Sequence, residues 1–237
     1  MEQVIVWLAL IAIGLSLEAV LASREVDRRR LLINMRYGGI ALACTMGTTL
    51  ALVHFFETTG TGLPYLFDFS HYDTLPQEIA LGVAATVLGD LIYYTWHRAQ
   101  HVQPLLWKIH QVHHSDSDFD VTTYVRQSWL EGPIQVLIIV LPLHFIARLP
   151  EASYFTMGVL LNFLVFFSHL AIPLKLGRFT RLVIGPDLHR THHFADRSWS
   201  GANFAGVTPV WDIVFGTYRA PPAESHNDAD VRKAAYP

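Results

Sequence analysis

Residues 79–101 read IALGVAATVLGDLIYYTWHRAQH. The stretch is apolar from 79 to 96 with a single charge, Asp90, and then passes without a turn residue into a histidine pair, His97 and His101. About 20 apolar residues in helix cross the hydrocarbon layer of a membrane, so this stretch reads as a membrane helix that carries its imidazoles out at one end. Four more apolar stretches, 4–22, 37–56, 132–147 and 152–172, hold only one further charge between them, Glu18. Charged residues make up 16% of the 237-residue chain and hydrophobic residues 51%, whereas a soluble domain carries about a quarter charged residues. The pattern excludes a soluble globule and a disordered chain. It predicts an all-α, polytopic membrane protein with four or five apolar segments and a histidine-rich di-metal domain outside them. A net charge of −3 gives no sign of nucleic-acid binding, and the single cysteine, Cys44, excludes a disulfide within the chain and a thiolate zinc site.

Charge also orients the chain. The first segment begins Met1-Glu2-Gln3, without the basic start of a cleaved signal peptide, and reads as a retained anchor. Arg24, Arg28, Arg29, Arg30 and Arg36 follow it, while 57–78 contains no Lys or Arg. The positive-inside rule then puts the N-terminus and 57–78 outside and the histidines in the cytoplasm. Segment 132–147 is short for a span, so the pair 132–147 and 152–172 is expected as a hairpin that crosses or partly enters the bilayer. The expected organisation is membrane helices and an external loop over 1–78, a histidine-box region over 79–219 and a disordered polar tail over 220–237.

Eight of the 13 histidines form three groups: His97 and His101; His110, His113 and His114; His189, His192 and His193. On a helix, residues i, i+3 and i+4 share a face, so each group is expected to aim its rings at a common point. Neutral imidazole suits zinc, copper, iron and nickel. Eight ligands exceed the four of one tetrahedral zinc, which points to two adjacent metals. A metalloprotease motif is excluded because Arg98 stands where the general-base Glu belongs. The calcium-loop start Asp116-Ser-Asp118-Phe-Asp120 lacks the Gly and Glu that complete such a loop. Many nitrogen ligands without thiolates fit oxygen chemistry on iron, and a site at the bilayer surface would act on lipid chains.

The stretches Asp90-Leu-Ile-Tyr-Tyr-Thr-Trp-His-Arg-Ala-Gln-His101, Leu106-Trp-Lys-Ile-His-Gln-Val-His-His-Ser115 and Asp187-Leu-His-Arg-Thr-His-His193, with the closing Trp211-Asp-Ile-Val-Phe-Gly-Thr-Tyr218, resemble the fatty acid hydroxylase/sterol desaturase superfamily, most of all its short bacterial branch. The resemblance covers roughly residues 80–219. It implies a membrane oxygenase with two iron ions that hydroxylates or desaturates a lipid with dioxygen. It also implies a separate electron donor, such as a ferredoxin or cytochrome, and a bacterial inner membrane. Zinc competes well for nitrogen sites and can replace iron in purified material. Two departures fall where a substrate pocket is expected: Arg126-Gln-Ser-Trp129 in place of Arg-Phe-His-Pro, and Asn203-Phe-Ala205 in place of Asn-Tyr-Gly.

Among the other histidines, His169 is expected as a ninth ligand, the alternative being a polar residue satisfied at the bilayer edge. His144 is costly within a span unless it faces the interior, while His54, His71 and His226 are expected to play no part. Asp90 lies two turns before His97 on one helical face, which suggests that it orients a ligand imidazole through the second ring nitrogen; a helix-packing hydrogen bond is the alternative. Asp187 is expected to do the same or to cap its helix, and Asp116 and Asp118 fit either role. Trp96, Trp107, Trp129 and Trp211 read as an interfacial aromatic belt. The rival class is a non-enzymatic membrane protein that binds or transports metal, whose ligands belong near mid-bilayer.

Overall fold

Asp27 separates the first two helices. Its carboxylate accepts from the backbone N–H groups of Arg29 and Arg30, the arrangement that starts a helix. Helix α2 therefore runs over Arg28–Thr59 and takes in arginines that the charge pattern assigned to a loop, while α1 covers Glu2–Ala22. The computed structural model describes residues 2–60, 64–116, 118–194 and 197–222. In it α3, Leu75–Val102, continues beyond its apolar part and carries His97 and His101 on its last two turns. A break at Gln103 and a proline start α4, Pro104–His114, which holds the second histidine group.

The expected hairpin is present. Its first limb is helical over Glu131–Gln135 (α5), makes a π-helical turn over Val136–Val140 and resumes over Leu141–Ile146 (α6). Its second limb is α7, Glu151–Ser168, so His169 caps that helix instead of lying within it. At the tip, Ala147–Arg148 (β2) pairs in parallel with Phe67–Asp68 (β1) of the α2–α3 loop. That short ladder sets the hairpin tip level with the loop, at the end of α3 opposite to His97 and His101. The first limb therefore reaches as far as the full-length helices do.

Helices α1, α2, α3 and α7 are each long and apolar enough to cross a membrane, and the chain is a multi-pass helical membrane protein. Phe155, 73% exposed, and Leu50, 65% exposed, stand on the outside of the bundle, as lipid-facing side chains do and water-facing ones seldom do. Helix α3 packs closely along α7. A Cβ on Gly82 would lie 2.7 Å from the Ser153 carbonyl oxygen, and the Ser153 hydroxyl donates to the Glu78 carbonyl at 2.8 Å.

At the histidine end three further helices fold back: α8 (Pro186–His192), α9 (Arg197–Ser200) and α10 (Val210–Val214). Glu18, the charge of the first apolar segment, is buried and accepts from the backbone N–H groups of Val121 (2.8 Å) and Ala171 (2.7 Å). It joins α1 to two loops of this end. Asp116, Asp118 and Asp120 tie the same end to α2 and its approach. Arg24 pairs with Asp118, Arg30 pairs with Asp116 and Asp120, and Asn34 donates to Asp116 at 2.7 Å. Their role is thus structural, and among the described residues neither Asp116 nor Asp118 hydrogen-bonds to a ligand imidazole, although the Asp116 charge acts on His113.

Candidate metal centre

Each histidine group sits at a helix end. His97 and His101 close α3, His110, His113 and His114 close α4, and His189 and His192 with the cap residue His193 close α8. His169 joins them from the end of α7. The nine rings fall into two clusters, within each of which the candidate ligand atoms lie within 4.8 Å of one another. One holds His97, His101, His110, His114 and His192; the other holds His113, His169, His189 and His193.

The second and third groups do not aim at a single point, as the sequence reading expected. His110 and His114 enter the first cluster and His113 the second, whereas His189 and His193 enter the second and His192 the first. At about 100° of rotation per residue, positions i and i+4 lie roughly 40° apart, but i+3 lies roughly 100° from i+4. One short helix end can therefore serve two centres. The centres are adjacent: the rings of His114 and His193, one from each, are stacked with centroids 4.4 Å apart.

The protons on the rings suit both clusters to a cation. The Nδ1 atoms of His97 and His192 lie 2.6 and 2.8 Å from the carbonyl oxygens of Phe204 and Ala202. A carbonyl only accepts, so each Nδ1 carries the proton and donates. Burial lowers the His192 pKa to about 4, so at neutral pH that ring has no second proton. Two bare Nε2 lone pairs, on His97 and His192, then face each other at 3.0 Å. The second cluster repeats the arrangement. His113 and His169 donate from Nδ1 to the carbonyls of Arg126 and Val165, and their Nε2 atoms are 3.3 Å apart. Burial likewise lowers the His113 pKa to about 4.

Facing lone pairs repel unless a cation lies between them. The closest Nε2–Nε2 separations in the two clusters run from 2.9 to 3.3 Å. With metal–nitrogen bonds of about 2.1 Å, neighbouring ligands lie about 3.0 Å apart at a right angle and about 3.4 Å apart at a tetrahedral angle. The spacings fit two metal ions. Burial also pushes His110, His114, His189 and His193 well below the ordinary histidine range, with neighbouring imidazoles adding to the effect, so these rings too are neutral donors. The Nε2 of His101 is buried without a hydrogen-bond partner, as an atom reserved for a metal would be.

The two expected orienting carboxylates work at one remove. Asp90 accepts from the backbone N–H groups of Gly206 (2.8 Å), Val207 (3.0 Å) and Thr208 (3.0 Å), and not from an imidazole. Three backbone donors satisfy the buried carboxylate, and the segment it fixes follows Phe204, whose carbonyl holds His97. Asp187 accepts from Leu188 and Leu176 N–H groups at 2.9 and 3.0 Å, which fastens the start of α8 and again leaves the rings alone.

Sequence reasoning missed Asp212. It is buried and accepts from Phe204 (2.8 Å), Ala205 (2.9 Å) and the Thr217 hydroxyl (2.7 Å). Asn203 stands at φ +60, between the two carbonyls that hold His192 and His97. Its side chain exchanges two 2.9 Å hydrogen bonds with the Arg219 backbone. The Trp211–Tyr218 motif was a signal for this segment, although not for its partners. Trp107 lies outside the expected aromatic belt role, with its ring 5.1 Å from His101 and 5.4 Å from His114. His54 and His71 lie away from both clusters, and His226 falls outside the described residues.

Beside the clusters, a cavity of about 500 Å³ opens between α3, the first hairpin limb and α7. Tyr93 and Tyr124 line it where it meets the imidazoles. Their ring centroids are 5.3 Å from that of His97 and 5.6 Å from that of His169, respectively.

A multi-pass helical bundle whose helix ends gather nine imidazoles, eight of them buried, into two adjacent nitrogen cages is a membrane protein of the histidine-box class. The chain belongs to the fatty acid hydroxylase family, whose sequence profile matches residues 82–217. It is 33% identical to the alkylglycerol monooxygenase of Danio rerio over 156 residues, 65% of this chain and 34% of that protein. It is 24% identical to the ornithine lipid hydroxylase OlsE of Rhizobium tropici over 198 residues, 82% of this chain and 57% of that protein. With the methylsterol monooxygenase erg25A of Aspergillus fumigatus the identity is 25% over 184 residues, 73% of this chain and 57% of that protein. The match thus spans from about a third to somewhat over half of each relative's length. No solved structure matches the chain.

Proposed function

We propose that this protein is an oxygen-dependent di-iron lipid hydroxylase, its two ions held by His97, His101, His110, His114 and His192 on one side and by His113, His169, His189 and His193 on the other. The observation that carries the reading is the pair of facing, proton-free Nε2 atoms in each cage. The relatives are named for hydroxylation or monooxygenation of an alkylglycerol, an ornithine lipid and a methylsterol, which favours hydroxylation over desaturation. Iron bound in nitrogen cages supplies the activation of dioxygen that attack on an unactivated C–H bond needs. The balance is one C–H bond, one dioxygen, two electrons and two protons giving one alcohol and one water. A separate donor such as a ferredoxin or cytochrome supplies the electrons.

The chain's own groups do the positioning. Backbone carbonyls of Ala202, Phe204, Arg126 and Val165 fix four rings in one tautomer, which keeps each Nε2 lone pair available. Asp90, Asp187 and Asp212 hold the segments that carry those carbonyls and α8. The cavity brings a lipid chain to the cages and keeps water from it. Both cages lie at one end of α3 and not midway along the spans, unlike the ligands of a transport path. By the positive-inside rule this end is cytoplasmic, and a bacterial inner membrane suits the arrangement.

The test is lipid profiling of cells with and without the gene under ¹⁸O₂. The reading expects a lipid that gains one oxygen atom, labelled from dioxygen and not from water, only when the gene is present. It fails if no labelled lipid appears, or if the label comes from water.

A further inference from the structure

We propose that the cavity beside the cages is a slot for one extended hydrocarbon chain, with its tail towards the outer end, so that the attacked carbon lies next to the polar end of the substrate. This inference rests on the oxygenase reading and adds substrate length and position of attack. The face that α3 turns to the cavity carries Leu81, Ala84, Ala85, Leu88 and Tyr93, with the hydrogen-bonded Asp90 beside Tyr93 at the cage end. Those positions recur at helical spacing and span about 18 Å at 1.5 Å per residue. That is slightly over half of the roughly 30 Å hydrocarbon core, the length of a chain from one leaflet. At the outer end the lining is Phe69 and Leu149, which flank the β1–β2 ladder.

Polarity sets the direction. The hydroxyls of Tyr93 and Tyr124 have no hydrogen-bond partner among the described residues. Both side chains line the cavity, one beside each cage. Gln127 lines the same end. Two unengaged phenols and an amide offer hydrogen bonds to an oxygen of the substrate within a few ångströms of the reacting atoms. The outer half carries two polar side chains, Tyr154, whose hydroxyl already accepts from the Leu149 N–H at 3.2 Å, and His144, half-buried, while Asn162 lies nearer the cages and is turned back on the Gly158 carbonyl at 2.8 Å. A headgroup would find fewer partners there. Tyr93 and Tyr124 are thus positioning residues for an oxygen-bearing lipid end, and the attacked carbon lies within the first few of the chain.

The probe is a ladder of saturated primary alcohols from about 8 to 20 carbons, bound to the full chain in lipid nanodiscs and read by native mass spectrometry, with and without iron. Affinity is expected to rise with each methylene up to roughly 14 carbons, at the one-leaflet scale, and then to level off. Ala84→Trp closes the slot about 13 Å from Tyr93 and should shorten that limit by three or four carbons, and Leu161→Trp on α7 provides a second obstruction. Tyr93→Phe with Tyr124→Phe should weaken alcohols about three- to tenfold relative to alkanes of equal length, whereas His144→Leu should leave that ratio alone. With iron and an electron donor, the new oxygen should appear on the first three carbons. Length-independent binding, an unmoved limit in both tryptophan variants, a headgroup effect at His144 in place of the tyrosines, or oxygen at the methyl end would overturn the proposal. Length-limited binding without oxygen insertion supports the slot and removes the oxygenase reading.

Discussion

His192→Ala takes away one of two lone pairs that face each other in the first cage, and His113→Ala does the same in the second. Each variant is expected to hold about one metal ion fewer per chain than the unaltered protein, measured by elemental analysis after purification. His54→Ala, away from both cages, should keep the full complement. Equal loss in all three would contradict the ligand assignment. Protonation offers a second test at this scale. The folded pKa values of His113 and His192 are lowered to about 4 by burial, against about 6.5 for a free imidazole. The unfolded chain then takes up protons that the folded chain refuses, so stability rises with pH across that window and falls on acidification. The metal-free protein should lose up to about 3 kcal/mol for each ring between pH 6.5 and 4, seen as a falling thermal midpoint in detergent, and bound metal should dissociate over the same range. A midpoint that rises on acidification would show that the rings are charged in the fold. The histidine groups were legible in the sequence because helical spacing is local. The partners of their second nitrogens were not, because those are backbone carbonyls, which every residue has.

The elements that carry these rings are held by carboxylates acting at a distance. Asp90 was legible as significant, being the one charge in the apolar stretch 79–96. Its partners lie more than a hundred residues further on and are N–H groups, which no pattern in the sequence marks. Asp212 was less visible still, since Val210, Trp211, Ile213 and Val214 around it mark a short apolar helix and not the backbone groups its carboxylate holds. Asp212→Ala removes three accepted hydrogen bonds from the 204–217 fold and should cost about 2–3 kcal/mol. Because the Phe204 carbonyl then loosens, metal should leave the first cage faster than the second. Equal release from both cages in a chelator challenge would mean that Asp212 serves only general stability. On the membrane side, Gly82→Leu drives a side chain against the Ser153 carbonyl and should cost about 1–3 kcal/mol by prying α3 from α7. Gly158→Leu, with open space at its Cβ, should cost far less. Thermal midpoints of the two variants decide it.

Across the whole molecule, the uneven placement of charge was enough to read the architecture: apolar helices, polar loops and a metal-binding end. What the sequence could not supply was depth. The extent of the first hairpin limb emerged only from the pairing of Phe67–Asp68 with Ala147–Arg148, since 132–147 alone is short for a span. Orientation rests on basic residues gathered at one end. In a Cys44→Ala background, a cysteine at Ser70 should react with a membrane-impermeant maleimide added outside cells, and one at Lys175 should react only after lysis. The reverse pattern would place the cages outside.

Imidazoles gathered into two cages, each closed by a cation, carry the proposed chemistry. X-ray absorption at the iron edge, with metal quantified on the same purified sample, tests this most directly. The prediction is close to two ions per chain, each in a shell of nitrogen at about 2.1 Å with a second metal nearby. A single ion per chain, a shell dominated by oxygen or sulfur, or an active preparation free of transition metal would contradict it.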